Sequence, residues 1–246
     1  MDEKELVIDI KELKKSFGDT EVLKGIDLEL HKGENLVILG KSGAGKSVLI
    51  KCIVKLEEPS EGELKVFDED ILTLRKEQEL NEYRRRVGFL FQGGALYDAM
   101  TVEENLRFPL DRLPDKLTEE EIQERIDEAL ENVGLEDTRK KMPSELSGGM
   151  RKRIALARTL ILRPEIMLYD EPTTGLDPST SKEISHLILE MQQKYEMSSI
   201  IITHDMKCAQ ITANRMKVVK EGRFAYEGSF EELQSEDDPW LKDFFD

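Results

Sequence analysis

Four short runs in the chain are almost wholly apolar: Leu36-Val37-Ile38-Leu39, Val87-Gly88-Phe89-Leu90-Phe91, Ile166-Met167-Leu168-Tyr169 and Ser199-Ile200-Ile201-Ile202. Runs of this length without polar alternation predict strands buried on both faces, as in a parallel sheet covered by helices. Nearer the N-terminus the pattern changes. Leu6-Val7-Ile8-Asp9-Ile10, Ile26-Asp27-Leu28-Glu29-Leu30 and Leu64-Lys65-Val66 alternate, which predicts antiparallel strands with one wet face. Helical spacing fills much of the rest. Thr118 and Glu121 spell a capping box; Ile122, Ile126, Ala129, Leu130 and Val133 then share a face before Gly134 ends the helix. Asp177-Pro178 is an N-cap followed by proline in the first helical position, with Ile184, Leu187, Ile188 and Met191 at core spacing. Ser147 opens a helix to about Leu162, with Arg151, Lys152 and Arg153 expected on its solvent side.

Residues 93–146 are mainly helical in pattern and interrupt the strand alternation, so they read as a helical insertion in an α/β core. No Gly/Ser-rich or Pro-rich linker and no repeat divides the chain. The expected organisation is one domain over 1–246. Its core spans about 1–92 and 160–230, its helical subdomain about 93–159, and its tail 231–246. The tail carries Trp240, Leu241, Phe244 and Phe245 at helical spacing; it is expected to pack on its own domain, the alternative being a partner or a second copy.

Charge narrows the classes of function. The 246 residues carry a net charge of −16, which disfavours a surface built to bind nucleic acid but leaves room for a local phosphate site. Cys52 and Cys208 are far apart and form no CxxC pair, so neither a disulfide framework nor a zinc site is expected. The opening Met1-Asp2-Glu3-Lys4-Glu5 lacks a secretory pattern, and no apolar run approaches the roughly 18 residues of a membrane span. A cytosolic protein that reaches membranes only through partners is the simplest expectation.

The most informative segment is Gly40-Lys41-Ser42-Gly43-Ala44-Gly45-Lys46-Ser47. It matches GxxxxGK[ST], follows a predicted strand and precedes a helical pattern running to Leu56, the context a phosphate-binding loop requires. Glycines let several N–H groups face one anion beside the positive end of the helix. Lys46 is expected to reach the outer phosphates and Ser47 to offer its hydroxyl to Mg²⁺. Lys41 reads first as a solvated loop lysine, the alternative being an added phosphate contact. A second element follows: the strand ending at Tyr169 leads into Asp170-Glu171, at the carboxyl edge where α/β sheets bind ligands. Asp170 is expected to hold Mg²⁺ and Glu171 to act as general base on the attacking water.

Further motifs then accumulate in order. Leu146-Ser147-Gly148-Gly149-Met150 resembles the LSGGQ signature of ATP-binding cassette (ABC) ATPases, Gln92 resembles the Q-loop glutamine, Gly175-Leu176-Asp177-Pro178 the D-loop, and Thr203-His204-Asp205 contains the switch histidine. Phe17 stands where that family places an adenine-stacking aromatic. The resemblance covers nearly the whole chain. It implies a P-loop NTPase (RecA-like) fold: a mainly parallel sheet core, an antiparallel β subdomain and an inserted α-helical subdomain. It also implies ATP and Mg²⁺ as ligands, with Phe17, Gly40, Ser42, Gly43, Gly45, Lys46, Ser47, Ser147, Gly148, Gly149 and Asp177 around the nucleotide. Ser47, Gln92 and Asp170 fall to the metal, and Glu171, His204 and Gln92 to catalysis. Two copies are expected to close head-to-tail, each signature covering ATP held by the other's loop.

Residues 91–102 (FQGGALYDAMTV) and Met142-Pro143-Ser144-Glu145 with the signature after them resemble the ATPase of Mla-type (MlaF-like) phospholipid transporters. That resemblance implies a bacterial inner-membrane complex with an MCE-domain lipid-binding protein. The ATPase would be peripheral on the cytoplasmic side, held by a permease docking near 93–110. The alternatives are the ATPase of an amino-acid-type importer, or a membrane-associated regulatory ABC ATPase without cargo.

Overall fold

The computed structural model describes residues 5–245. Residues 1–4, on which the reading of the leader partly rests, and Asp246 lie outside them. Along the chain come β1 (Leu6–Phe17), β2 (Thr20–His31), β3 (Asn35–Gly40), α1 (Lys46–Ile53), β4 (Glu61–Val66) and β5 (Glu69–Asp70). Then follow α2 (Glu77–Arg86), β6 (Val87–Leu90), α3 (Val102–Leu110), α4 (Glu119–Val133) and α5 (Gly148–Leu160). The last third holds β7 (Ile166–Asp170), α6 (Pro178–Tyr195), β8 (Ser198–Ile202), α7 (Met206–Thr212), β9 (Arg215–Lys220), β10 (Arg223–Gly228), α8 (Phe230–Ser235) and α9 (Pro239–Lys242).

These elements make two sheets. One is antiparallel in the order β2-β1-β4-β5; the other runs β10-β9-β3-β8-β7-β6, parallel from β9 to β6 and antiparallel at the β10 edge. Every residue of β3, β7 and β8 is buried, as their almost wholly apolar runs demand. One hydrophobic cluster lies between the antiparallel sheet, α1 and one face of the parallel sheet. The other joins the opposite face to α3, α4, α5, α6 and the C-terminal helices. The architecture is that of a P-loop NTPase with an antiparallel subdomain and an inserted helical region.

Local signals account for the helix boundaries. Thr118 accepts the N–H of Glu121 while Glu121 accepts that of Thr118, and Gly134 closes α4 in the left-handed region. Asp177 accepts from Ser179 and Thr180 at the start of α6.

Several expectations need correction. α1 ends at Ile53 rather than Leu56. Phe91 is not part of a buried strand; it lies beyond β6 and is 40% exposed. Lys152 does not face solvent: it is buried and its ammonium donates to the backbone carbonyl of Gln92, while only Arg151 of the three basic residues is exposed. Among the described residues no helix is long and apolar enough to cross a membrane.

Candidate functional site

β3 delivers the glycine-rich loop to the carboxyl edge of the parallel sheet, and α1 leaves from it. Gly45 stands at the N-cap of α1 with φ 97°, and a Cβ there would lie 2.9 Å from the Leu23 side chain, so both the left-handed backbone and the contact require glycine. Having no side chain, it leaves the first-turn N–H groups for a ligand at the positive end of the helix. Lys46 folds back over the loop and donates to the carbonyls of Gly40 at 2.6 Å and Lys41 at 3.2 Å. Burial lowers its pKa, against the pull of Glu171 and Asp170. It is a desolvated cation held on loop carbonyls.

The acidic strand end meets this loop. Ser47 Oγ donates to Asp170 Oδ1 at 2.8 Å, joining α1 to β7. Glu171 follows in the left-handed region with φ 51°, its N–H held by the carbonyl of Ile202 on β8. That turn aims its carboxylate across the sheet edge. His204 Nδ1 lies 2.8 Å from Glu171 Oε2, which also accepts the Thr174 hydroxyl at 3.2 Å and the His204 N–H at 3.3 Å. Beneath them the Thr173 hydroxyl donates to Asp205, which caps α7, so the loops after β7 and β8 are fastened together.

These groups converge on one cavity of about 740 Å³, lined by residues 40–48 with Gln92, Glu171 and His204. Its size suits a mononucleotide. Val22, Asp243 and Phe244 line it as well. Phe17, by contrast, is 45% exposed at the end of the β1–β2 hairpin, with the Lys15 ammonium 4.6 Å from its ring centre; it is not among the lining residues.

The signature segment lies elsewhere. Ser147 caps α5 by accepting the N–H of Met150 at 3.2 Å. A Cβ on Gly149 would come within 2.6 Å of the Thr180 methyl, and one on Gly148 would touch Leu176, so α5 begins in contact with the segment around Asp177. Gly148 and Leu176 line a separate concavity of about 420 Å³ with Gly93, Gly94 and Arg151. Within one chain, then, signature and phosphate loop open onto different spaces.

The model of the ABC transporter family matches residues 23–174. The methionine import ATP-binding protein MetN of Campylobacter jejuni is 38% identical over 252 residues, covering 97% of this chain and 75% of that protein. The chain belongs to the ABC transporter ATPase family. Membership makes ATP its nucleotide and ATP hydrolysis its reaction. The glutamine transport ATP-binding protein GlnQ of Geobacillus stearothermophilus is 40% identical to this ABC ATPase, covering 91% of each chain. A post-hydrolysis dimer of the cassette MJ0796 with ADP and Pi shares its fold with a TM-score of 0.82 and 31% identity, over 91% of this chain and 98% of that one. The names of these relatives do not support the Mla-type subgroup or its MCE-domain partner. The family match spans the phosphate loop, Gln92, the signature and Asp170-Glu171 of this ABC ATPase; Phe17, Asp177 and His204 lie outside it.

Sequence reasoning missed three contributors. Lys152 stands three and four residues before the buried Ala155 and Leu156, a spacing that turns it inward. The Thr173–Asp205 bond joins two loops distant in sequence, and nothing local signals it. Asp243 and Phe244 reach the cavity only through the packing of α9.

Proposed function

We propose that the chain is the ATP-hydrolysing engine of a transporter whose membrane-spanning permease is a separate protein, and that the cargo is a polar, amino-acid-type solute. The observation that carries the engine is the convergence of the phosphate loop, the Ser47–Asp170 bond and the Glu171–His204 pair on one edge of the sheet. Relatives named for methionine and glutamine transport support the cargo class.

Mg²⁺ is the cofactor this reading implies. Ser47 and Asp170 offer a hydroxyl and a carboxylate oxygen, the sparse set of hard donors that suits an ion keeping water and phosphate oxygens. No cluster of three or more acidic, histidine or cysteine side chains among the described residues offers an all-protein cage instead. When bound, the ion neutralises charge on the phosphates. Lys46 gives up its loop carbonyls to hold the outer phosphates. Glu171 takes the proton of the attacking water; His204 keeps the carboxylate in place through its backbone N–H and turns its ring N–H from Glu171 to the γ-phosphate. Gln92 hydrogen-bonds that water. Its carbonyl, held by Lys152, carries the occupancy of the site to the helical insertion.

A second copy completes the site. The serine hydroxyl and N–H groups of Ser147, Gly148 and Gly149 suit an anion, yet they open away from their own loop. Head-to-tail pairing brings them over the partner's ATP; the structure of the cassette MJ0796 with ADP and Pi is described as dimeric, which supports pairing.

The permease has a matching surface. Of the four exposed large apolar side chains among the described residues, Leu56 and Phe91 line a groove of about 260 Å³ and Tyr97 borders it through Arg158. Arg84, Arg85 and Arg158 rim this groove. A short amphipathic helix with acidic flanks fits it, on the cytoplasmic side of the membrane and beside the 93–110 segment. Phospholipid transport is the second reading, resting on residues 91–102 and 142–150. Purification of the tagged chain from its own membranes, followed by ATPase assays with methionine, glutamine or phospholipid vesicles, separates the two. Co-purification of a permease and stimulation by an amino acid are expected. Stimulation by phospholipid alone overturns the importer reading, and a partner without membrane spans overturns both.

A further inference from the structure

The segment after α8 sits on the nucleotide cavity. Asp238 caps α9 through the N–H groups of Trp240 and Leu241 and accepts the Tyr226 hydroxyl. Leu241 is fully buried. Trp240 stacks on Tyr226 with ring centres 6.2 Å apart and meets Phe244 edge-on at 5.1 Å; Phe245 meets Phe230 at 5.4 Å. This much of the segment is fastened to β10 and α8 by apolar contact. Its approach to the phosphate loop is of another kind. Lys41 Nζ lies 3.9 Å from the Asp243 carboxylate and 5.7 Å from the Trp240 ring centre, and both charged side chains are more than half exposed. Lys220 faces the same ring at 4.4 Å.

We propose that Asp243 competes with the nucleotide: it holds Lys41 as an anionic stand-in for a phosphate, and a triphosphate must take Lys41 from it and displace the end of the segment. The cavity's neighbourhood already carries the carboxylates of Asp170 and Glu171. Asp243 adds a third, and it acts on the nucleotide by neutralising Lys41. Because the pair is exposed it is cheap to break, so it tunes affinity and does not block the site. Because α9 is anchored, the competing carboxylate stays at high local concentration and returns when nucleotide leaves. The inference rests on the reading of this cavity as the nucleotide site.

The test titrates the full chain and its Asp243→Asn, Lys41→Ala, Lys41→Ala/Asp243→Asn and Lys46→Ala variants with adenosine 5′-(β,γ-imido)triphosphate plus Mg²⁺, and with adenosine. Heat and the emission of Trp240, the only tryptophan in the sequence, are followed together. Asp243→Asn should bind the triphosphate about 3- to 10-fold tighter at low ionic strength, the scale of one charge several ångströms away in a wet site. That gain should shrink as salt is raised. It should vanish in the Lys41→Ala background and be absent for adenosine, and triphosphate binding should shift Trp240 emission in the unaltered protein. Equal affinity in Asp243→Asn, a gain that survives loss of Lys41, or the same gain for adenosine overturns the proposal. Unaltered triphosphate affinity in Lys46→Ala overturns the cavity assignment instead.

Discussion

Replacing Glu171 with glutamine isolates chemistry from binding. The amide keeps an oxygen where Glu171 Oε2 now faces His204 Nδ1 and the Thr174 hydroxyl, so both contacts can persist. Backbone strain does not change either, because both side chains carry the same Cβ at φ 51°. What disappears is the ability to accept a proton, together with one negative charge in a cavity meant for polyphosphate. The variant should therefore fold as before, and it should bind ATP as tightly or more tightly. A general base contributes about 10²- to 10⁴-fold, or roughly 2.7–5.4 kcal/mol of barrier, and the whole loss should fall on the rate of hydrolysis. Single-turnover phosphate release with protein in excess measures that rate even if turnover is slow, and a parallel titration and thermal melt show that binding and fold are intact. Hydrolysis within a factor of about ten of the unaltered protein would refute the assignment, because loss of the only base in the mechanism cannot be so mild.

Lys46→Ala should weaken nucleotide binding by at least about tenfold, since a charge-assisted contact to phosphate contributes more than 1.4 kcal/mol; a titration with ATP checks it. Ser147→Arg should leave ATP binding to the single chain intact and abolish the ATP-dependent dimer, with sedimentation in Mg²⁺ and ATP as the readout. Phe91→Asp should prevent co-purification of the membrane partner while single-turnover hydrolysis by the isolated chain is unaffected. Arg215→Met addresses stability. Burial pushes the Glu34 carboxyl up, but hydrogen bonds from Arg215 and the His31 N–H more than offset this and hold its pKa below the ordinary 4.5. The stabilisation is therefore complete above that range and fades as pH falls through the depressed value. Without Arg215 only the His31 contact opposes burial, so the variant should lose about 2 kcal/mol at pH 7, discounted for partial exposure, and the gap in melting temperature should narrow towards pH 4.

The parts of the fold legible in the sequence are those set by neighbours along the chain. β3, β7 and β8 announce themselves because strands buried on both faces are apolar but for residues at their ends, and α4 and α6 because their caps lie within three residues of their first turn. β9 stayed hidden for the converse reason. Its sequence RMKVVK looks half-polar, yet Lys217 is buried because Glu227 on β10 pairs with it, a compensation no local pattern reveals. α2 offers no stripe at all: Tyr83 is its one buried side chain, bonded through its hydroxyl to the Ile53 carbonyl.

The site divides along the same line. A phosphate cradle is made of consecutive backbone N–H groups, so its residues must be contiguous and its spacing is readable; the Asp170-Glu171 strand end is likewise one short run. Everything that modulates the cradle comes from elsewhere in the chain: Val22 from β2, Lys152 from α5, Asp205 from α7, Asp243 and Phe244 from beyond α9. Cargo is a further step removed. The cavity chemistry is aimed at phosphate and would serve any transported solute equally well. On the docking proposed above, what joins this engine to a particular permease is the shape and charge of the groove around Leu56, Phe91 and its three arginines. On that proposal a cargo change requires a different helix in the groove and no change at the nucleotide, which is why motifs that identify the reaction so sharply say so little about what is moved.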